Sequence, residues 1–183
     1  AKDFSDDDSI TYQEAVDVIS EIGVVDGYTG GDFKPTEVLT RGAAAKIICN
    51  LILGPTTASY LSADTAPFKD VPVTNVFAGY ITYCAQEKII NGYPDGTFRP
   101  DNKITRAEAM TLVNRVLKRL PETEEDLHDD MIKWSDNSDV SQWFYLDVQE
   151  ATNSHDYSDK SDADKYEKWT KIRDARDWTL LEK

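Results

Sequence analysis

Residues 92–100 read GYPDGTFRP, and residues 105–108, shortly after them, read TRAE. Much of this pattern already occurs 65 positions earlier, in the same register and without a gap. Seven identities at one fixed offset indicate an internal duplication. Such a repeat predicts an array of supersecondary units that bury their apolar faces on one another. The matching residues of the first copy are Gly27, Tyr28, Gly31, Phe33, Pro35, Thr40 and Arg41.

The first copy reads as helix, loop, helix. Thr11 and Glu14 have the spacing of a capping box, which predicts the start of the first helix, and Gly23 predicts its end. The second helix is predicted to begin at Thr40 and to end before Gly54. The expected apolar faces are Tyr12, Ala15, Val16, Ile19 and Ile22 in the first helix, and Ala44, Ile47, Ile48, Leu51 and Ile52 in the second.

The second copy follows the same plan. Thr105 and Glu108 form a second capping box, and Pro121 closes the helix that they begin. Phe98, like Phe33 in the first copy, is predicted to plug its loop into the core. The apolar stripe predicted for this last helix is Ala109, Leu112, Val113, Val116, Leu117 and Leu120.

An aromatic residue followed two positions later by aspartate opens each unit, and we call this pair the Phe-x-Asp motif. A third motif begins at Trp134, but no glycine-rich loop and no Thr-Arg pair follow it. The sequence therefore predicts repeat 1 at 1–54, a linker at 55–67, repeat 2 at 68–121, an acidic solvated linker at 122–130 and a divergent repeat 3 at 131–183. The motifs are Phe4/Asp6, Phe68/Asp70 and Trp134/Asp136, and the first helix of repeat 3 is expected around Trp143, Phe144, Val148 and Ala151.

The 183 residues are 40% hydrophobic, which is typical of a globular fold. Twenty basic and 34 acidic residues give a net charge of −14, which argues against a nucleic-acid partner and against binding to anionic membranes. No apolar run has the length of a membrane span. The chain begins at Ala1, so a mature form or a cut piece is equally consistent with it.

Catalytic and metal-binding patterns are weak. His128 and His155 have no partnered nucleophile or metal-spaced neighbour, so both are expected at the surface. Acidic residues from position 156 onward approach an EF-hand spacing, but Lys160 stands where a ligand belongs. Cys49 and Cys84 are predicted to be buried small hydrophobes, with a disulfide or metal pair as the alternative. We therefore predict no metal, no cofactor and no enzymatic activity.

The Phe-x-Asp motifs, the loop at 92–100 and the TRAE helix start resemble the S-layer homology family, whose modules hold exported bacterial proteins on the cell wall. The resemblance implies a mostly α fold in which three helix-loop-helix repeats form a pseudo-threefold helical bundle. It also implies an extracellular, non-catalytic module at the cell wall or S-layer. Its expected partner is secondary cell-wall polysaccharide, often with a pyruvylated terminal sugar, bound in grooves between repeats.

In this family the TRAE arginine contacts the carboxylate of the glycan. The role carries over to Arg106 directly and to Arg41 less closely, because Gly42 and Ala43 depart from Ala-Glu. A guanidinium suits a carboxylate because its planar fork donates two hydrogen bonds, and a helix N-terminus adds positive potential. The alternative for Arg106 is an ion pair within the protein. No arginine of repeat 3 matches; Arg173 and Arg176 are the nearest candidates.

The remaining candidate residues share a place in the loops or motifs. Aromatic rings are expected to stack on sugar, and motif aspartates either accept bonds from sugar hydroxyls or cap a nearby turn. The loop glycines either line the groove or only shape the loop. These candidates are Tyr28, Tyr93, Trp143, Asp6, Asp70, Asp136, Gly27 and Gly92.

Two other functions remain open on the sequence. A structural or protein-interaction array, in which repeat 3 makes a dimer or lattice contact, is motivated by Trp169 and Trp178, which are expected to be exposed. In that case the chain would self-associate. A hydrolase acting on wall glycan is the third possibility, although no catalytic constellation supports it.

Overall fold

The computed structural model describes residues 2–160, 166–175 and 177. The chain divides into two compact units, of which the first extends to Ile104 and the second is Thr105–Asp177. The border lies inside the second predicted repeat, between its glycine-rich loop and its second helix. Each unit therefore combines parts of two consecutive predicted repeats.

The described part of the first unit contains four α-helices and a short 3₁₀ turn, Asp7–Ser9. Thr40 caps the second of these helices, because its Oγ1 accepts the N–H of Ala43 at 3.2 Å. Pro55 occupies the first turn of the third, so part of the predicted linker 55–67 is helical. The helices are α1 Gln13–Glu21, α2 Arg41–Leu53, α3 Pro55–Ala58 and α4 Ala78–Gln86.

The predicted capping box of the first helix is wrong. The N-cap of α1 is Tyr12, one residue after Thr11, and no side-chain hydrogen bond caps this helix. The helix is held instead by apolar packing, because Ile10 and Val16 are buried in one cluster with Phe4. The capping pattern therefore predicted the helix correctly but placed its N-cap one residue too early.

The Phe-x-Asp motif clamps the glycine-rich loop of its own repeat. In both copies the carboxylate accepts two consecutive backbone N–H groups, and the second N–H belongs to a residue in the left-handed region, with φ of 59° at Lys34 and 60° at Arg99. That conformation is unfavourable for a side chain with a Cβ, so the two bonds stabilise it. The bonds are Asp6 to Phe33 N (2.7 Å) and Lys34 N (2.8 Å), and Asp70 to Phe98 N (2.8 Å) and Arg99 N (2.7 Å).

The clamp also lowers the pKa of both carboxyl groups. The N–H of Phe33, assisted by that of Lys34, holds the pKa of Asp6 below its usual value. Burial alone would raise the pKa of Asp70, but the N–H groups of Phe98 and Arg99 outweigh it and lower this pKa as well. Both carboxyl groups therefore stay ionised while they hold their loops.

The core of the first unit lies where α2 crosses α4. Cys49 and Cys84 are both fully buried, which confirms the prediction of burial. Phe98 is fully buried as well, as predicted for the loop plug. Gly42 allows a close approach of the helices, because a Cβ there would lie 2.5 Å from the ring of Phe77.

The described part of the second unit contains two α-helices followed by an antiparallel hairpin. The capping box of Thr105 and Glu108 is present in both directions, as predicted. The hairpin follows α6 at the place where a glycine-rich loop and a second helix follow the first helix of the first two predicted repeats. The elements are α5 Arg106–Leu117, α6 Tyr145–Thr152, β1 His155–Asp159 and β2 Glu167–Ile172.

The face that α5 buries differs from the predicted stripe. Val113 and Leu117 are about half or more exposed, whereas Thr111 and Asn114 are buried. The reason is polar pairing with α6, because Nδ2 of Asn114 donates to the backbone oxygen of Asp147 at 2.9 Å. α5 also ends at Leu117, before the predicted stop at Pro121.

The predicted acidic linker 122–130 is not simply solvated. It contains a 3₁₀ turn, Glu124–Asp126, in which Asp126 is 3% exposed. The carboxylate of Asp126 accepts the backbone N–H of Thr123 and the ammonium of Lys160 at 2.8 Å. This pairing ties the connection to the end of the hairpin.

The mostly α class is confirmed for the described residues, with the hairpin as its β element. The pseudo-threefold bundle stays a prediction. Among the residues that the structure describes, no helix combines the length and the apolar character needed to cross a bilayer.

The clamp predicts a large difference between two equivalent aspartates. We expect Asp70→Ala to lower the free energy of unfolding by about 2 kcal/mol, because it removes two charge-assisted hydrogen bonds and leaves Arg99 in an unfavourable conformation. Asp136→Ala is the matched control, because the carboxylate of Asp136 accepts no backbone N–H among the described residues. Urea unfolding followed by circular dichroism measures both, and equal losses would contradict the clamp.

Candidate functional site

Arg41, at the start of α2, is 3% exposed and donates to the backbone of the next predicted repeat. Its Nε bonds the oxygen of Phe98 at 2.8 Å, and its Nη2 bonds the oxygen of Asn91 at 2.9 Å. The guanidinium also lies 4.7 Å from the centres of the Phe98 and Tyr93 rings. The planar fork of Arg41 thus holds the loop of repeat 2 against α2.

The other candidates of repeats 1 and 2 lie in the clamped loops. The ring of Tyr28 is half exposed with Lys34 over it, and Tyr93 lies under Arg99 at 4.1 Å. Gly27 has φ +75°, and a Cβ there would lie 2.5 Å from the Phe4 ring; Gly92 is pressed in the same way by the ring of Phe68. Together with Asp6 and Asp70, which the loop N–H groups occupy, these residues build the loops, and none of them lines the cavity described next.

Arg106 occupies a different environment. It is exposed, and within the described part of the chain its side chain makes no hydrogen bond or ion pair. It lines a cavity of about 480 Å³ between the N-terminal half of α5 and the elements that open repeat 3. The cavity is bounded by Thr105, Arg106, Ala107, Met110, Trp134, Asp136, Asn137, Phe144, Val148 and Thr152.

Two polar groups besides Arg106 face this cavity. Asp136 is exposed and, in the part of the chain that the structure describes, forms no ion pair with Arg106 or any other cation. Asn137 is buried, and its Nδ2 donates to the oxygen of Tyr145 at 3.2 Å, while its Oδ1 has no donor among the described residues. The cavity therefore presents a cation, an anion and an amide oxygen.

The walls of the cavity are largely apolar. Trp134 is 40% exposed, and its Nε1 donates to Oγ1 of Thr152 at 2.8 Å, which fixes the indole plane. Phe144 forms a second aromatic wall. Sequence reasoning used Trp134 only as the start of a motif and proposed Trp143 instead. Trp143 is 62% exposed, packs edge-on against Phe144 with ring centres 5.3 Å apart, and does not line the cavity.

One substitution between the repeats accounts for the space beside Phe144. Gly42 lets the Phe77 ring pack directly on α2, as described above. The residue in the position of Gly42 in α5 is Ala107, and Phe144, like Phe77, directly precedes the first helix of its repeat. Because a Cβ at this position is incompatible with the close packing seen in the first unit, Ala107 and Phe144 lie on two sides of a cavity.

A separate cluster of charges lies between α6 and the hairpin. Glu150, His155 and Glu167 bring their ligand atoms within 4.8 Å of one another, as a metal site would. Arg119 already pairs with both carboxylates. A bound cation would have to compete with this guanidinium, so the cluster is best described as a balanced ion network.

The prediction that His155 is a surface residue is wrong, because its side chain is 3% exposed. Its ring stacks on Trp169 at 4.0 Å, its Nδ1 bonds the oxygen of Asn153, and its Nε2 lies 3.0 Å from Glu167. Burial by itself would lower the pKa of His155, but the bonds to Glu150 and Glu167 outweigh it and raise the pKa to about 9. This environment depends on the hairpin, which local sequence signals did not predict.

Two further predictions concern the end of repeat 3. Trp169, expected to be exposed, is 3% exposed and donates to Glu150 at 2.9 Å, so that expectation is wrong. Trp178 lies outside the described residues. Arg173, one candidate for the missing arginine, pairs with Asp156, and Arg176 also lies outside the described residues.

Comparison with known proteins follows the duplication. Residues 3–45 and 67–110 match the S-layer homology domain. Each matched segment contains a Phe-x-Asp motif and its loop and ends inside α2 or α5. Two segments of the chain therefore match the S-layer homology family, and the resemblance is confirmed over those residues.

Three similar proteins come from bacterial surfaces. A cellulosome-anchoring protein of Acetivibrio thermocellus is 40% identical over 99 residues, a surface layer protein of Brevibacillus choshinensis 33% over 105, and a middle cell wall protein of Brevibacillus brevis 30% over 105. The alignments cover 54%, 57% and 57% of this chain but only 22%, 9% and 10% of those proteins. The chain thus spans less than a quarter of their length. The predicted extracellular location at the cell wall or S-layer is confirmed.

The raised pKa of His155 predicts that the hairpin weakens at alkaline pH. Because the folded pKa is about 9 and the unfolded value is near 6.5, the stabilisation is complete below pH 6.5 and is lost as the pH rises through 9. Deprotonated Nε2 can still accept from Arg119, 2.8 Å away, but the network is then one positive charge short. Hydrogen exchange of the β1 and β2 amides should therefore accelerate between pH 7 and 10, beyond the intrinsic increase.

His155→Gln removes the titrating group, and the matched control is His128→Gln. The first variant should lose the alkaline effect and the second should keep it. An NMR titration that places the pKa of His155 near 6.5, or an equal response of the two variants, would contradict the assignment.

Proposed function

We propose that this chain is a non-catalytic module that anchors its parent protein to the cell wall by binding secondary cell-wall polysaccharide. The observation that carries the proposal is the guanidinium of Arg106, which has no partner among the described residues and faces a cavity of about 480 Å³. An unpaired arginine beside apolar walls is suited to an anionic ligand. The relatives named for anchoring or for the cell wall support the same class of function.

The ligand that fits is the carboxylate of an acidic sugar, such as a pyruvate ketal at a glycan end. Arg106 is the first residue of α5, directly after the Thr105 cap, so backbone N–H groups and the helix dipole reinforce its charge. The fork of the guanidinium can donate to both carboxylate oxygens at once. An ammonium group at this position would provide the charge without that geometry.

The sugar ring itself would use the rest of the cavity. The indole of Trp134 and the ring of Phe144 offer apolar surface for the C–H face of a pyranose. Asp136 can accept bonds from its hydroxyl groups, and because no loop occupies this carboxylate, it differs from Asp6 and Asp70. Together these groups provide one charged, one hydrogen-bonding and one stacking contact.

We place the site at Arg106 and not at Arg41. Arg41 is buried and bonds two loop carbonyls, so a ligand would have to displace internal contacts to reach it. The other candidates of repeats 1 and 2, including Gly27, Tyr28, Gly92 and Tyr93, serve the loops. Trp143 lies next to Phe144 and can extend the binding surface outside the cavity.

We also propose that residues 131–183 are a third, divergent repeat. The support is a contact that recurs between successive units. Cys49 in α2 contacts the oxygen of Tyr80 in α4, and Asn114, the residue 65 positions after Cys49, contacts the oxygen of Asp147 in α6. α6 therefore takes the place towards α5 that α4 takes towards α2. The boundaries 1–54 and 68–121 for the other repeats are part of the same proposal.

Arg106→Ala should raise the Kd for purified cell-wall polysaccharide by about 10- to 100-fold, since a charge-assisted contact contributes about 1.5–3 kcal/mol. Helicity and Tm should stay nearly unchanged, because the side chain makes no contact that holds the fold. Arg106→Lys should give an intermediate loss. Isothermal titration calorimetry with polysaccharide before and after chemical removal of its acidic groups measures these effects.

Arg99→Ala is the control, because it removes the same charge from an exposed arginine that pairs with Asp95. It should bind as the unchanged protein does. Full binding by folded Arg106→Ala would remove this cavity from the site. Release of reducing ends from wall fragments would contradict the non-catalytic assignment.

A further inference from the structure

The two cysteines of the chain meet in the core of the first unit. The Sγ atoms of Cys49 in α2 and Cys84 in α4 are 3.6 Å apart, and both residues are fully buried. Each thiol also points at a backbone oxygen of the opposite helix, Cys49 at Tyr80 (3.6 Å) and Cys84 at Ala45 (3.7 Å). The contact is therefore a defined crossing of two helices from consecutive repeats.

The distance between the sulfur atoms is close to what a covalent bond requires. A disulfide has an S–S length of about 2.05 Å, so the sulfurs must approach by about 1.5 Å, which small side-chain rotations on two packed helices can supply. The extracellular location is one in which disulfides form and persist. We propose that Cys49 and Cys84 are a disulfide-forming pair, and that its oxidation covalently joins the second helix of repeat 1 to the first helix of repeat 2.

The chemistry is thiol–disulfide exchange with a small-molecule or protein disulfide as oxidant. One cysteine thiolate attacks the oxidant, whose S–S bond breaks, and a mixed disulfide forms. The second cysteine then attacks the sulfur of the first and expels the remaining oxidant thiolate. The two cysteines lose two electrons and two protons, and the oxidant gains them as two thiols.

The surroundings indicate when this reaction takes place. The hydrogen bond with Cys49 and the burial of the site raise the pKa of Cys84, so this thiol stays protonated in the folded core, whereas the same hydrogen bond lowers the pKa of Cys49. Both cysteines are fully buried at this helix crossing, which restricts the access of a bulky oxidant to the closed structure. Oxidation is therefore expected before the helices close or during transient opening, and reduction of the finished bond should be slow.

The stabilising effect of the disulfide should be confined to the first unit. The cysteines are 35 positions apart, so the bond closes a long loop and restricts the unfolded chain. In the second unit Asn114 holds the position equivalent to Cys49 and makes a hydrogen bond to Asp147 instead. Melting of the first unit should therefore depend on redox state, whereas melting of the second should not.

The test uses the whole chain, incubated in a buffer of reduced and oxidised glutathione and compared with a sample kept in phosphine reductant. We expect the oxidised monomer to show no free thiol after denaturation, to be lighter by two hydrogen atoms, and to give one cross-linked peptide pair. We also expect its Tm to be higher by about 10 °C.

Cys49→Ser and Cys84→Ser should each retain one thiol and show the same Tm under both conditions. The Cys49→Ala/Cys84→Ala double variant serves if a hydroxyl in the core prevents folding. Two free thiols in the denatured, oxidised sample would overturn the proposal. So would disulfides found only between chains, or an internal disulfide that lowers the Tm.

Discussion

The bond between a motif aspartate and its glycine-rich loop is the interaction on which the first unit depends. One carboxylate binds two successive N–H groups and fixes a left-handed residue, Lys34 or Arg99. The fixed loop of repeat 2 then presents two carbonyl oxygens to Arg41. Asp70 and Arg41 thus hold the same loop through its backbone groups, which links the two predicted repeats. The guanidinium of Arg41 has a structural role in this arrangement.

The same reasoning explains why the second unit differs. The motif at Trp134 is followed by α6 and a hairpin instead of a glycine-rich loop, and in the part of the chain that the structure describes no backbone N–H binds the carboxylate of Asp136. Arg106 likewise binds no loop carbonyl among the described residues. Arg106 is the counterpart of Arg41, and Asp136 is the counterpart of Asp6 and Asp70; among the described residues both lack these internal partners, and both face one cavity beside Trp134.

The sequence predicted what short-range chemistry controls. The helix caps Thr40 and Thr105 are predicted correctly, because the capping bond joins a threonine hydroxyl to a backbone N–H only three residues away. The buried face of α5 was not predictable, because Asn114 is buried only by virtue of a carbonyl on α6. The burial of His155 was not predictable for a similar reason, because a hairpin brings it together with its partners Arg119 and Glu167. The sequence motif identified Arg106 as a candidate residue, whereas only the structure shows that Trp134 lines the cavity.

The border between the compact units has a consequence for dissecting this molecule. Because α2 pairs with α4 and α5 pairs with α6, the stable pieces are out of phase with the sequence repeats. A fragment cut after Pro121, where the second repeat is predicted to end, would separate α5 from α6, the helix with which it pairs. A cut between Ile104 and Thr105 keeps α2 with α4 and α5 with α6. We accordingly expect that modules exchanged between such proteins keep their hydrophobic cores when they are joined within a repeat, between its glycine-rich loop and its second helix.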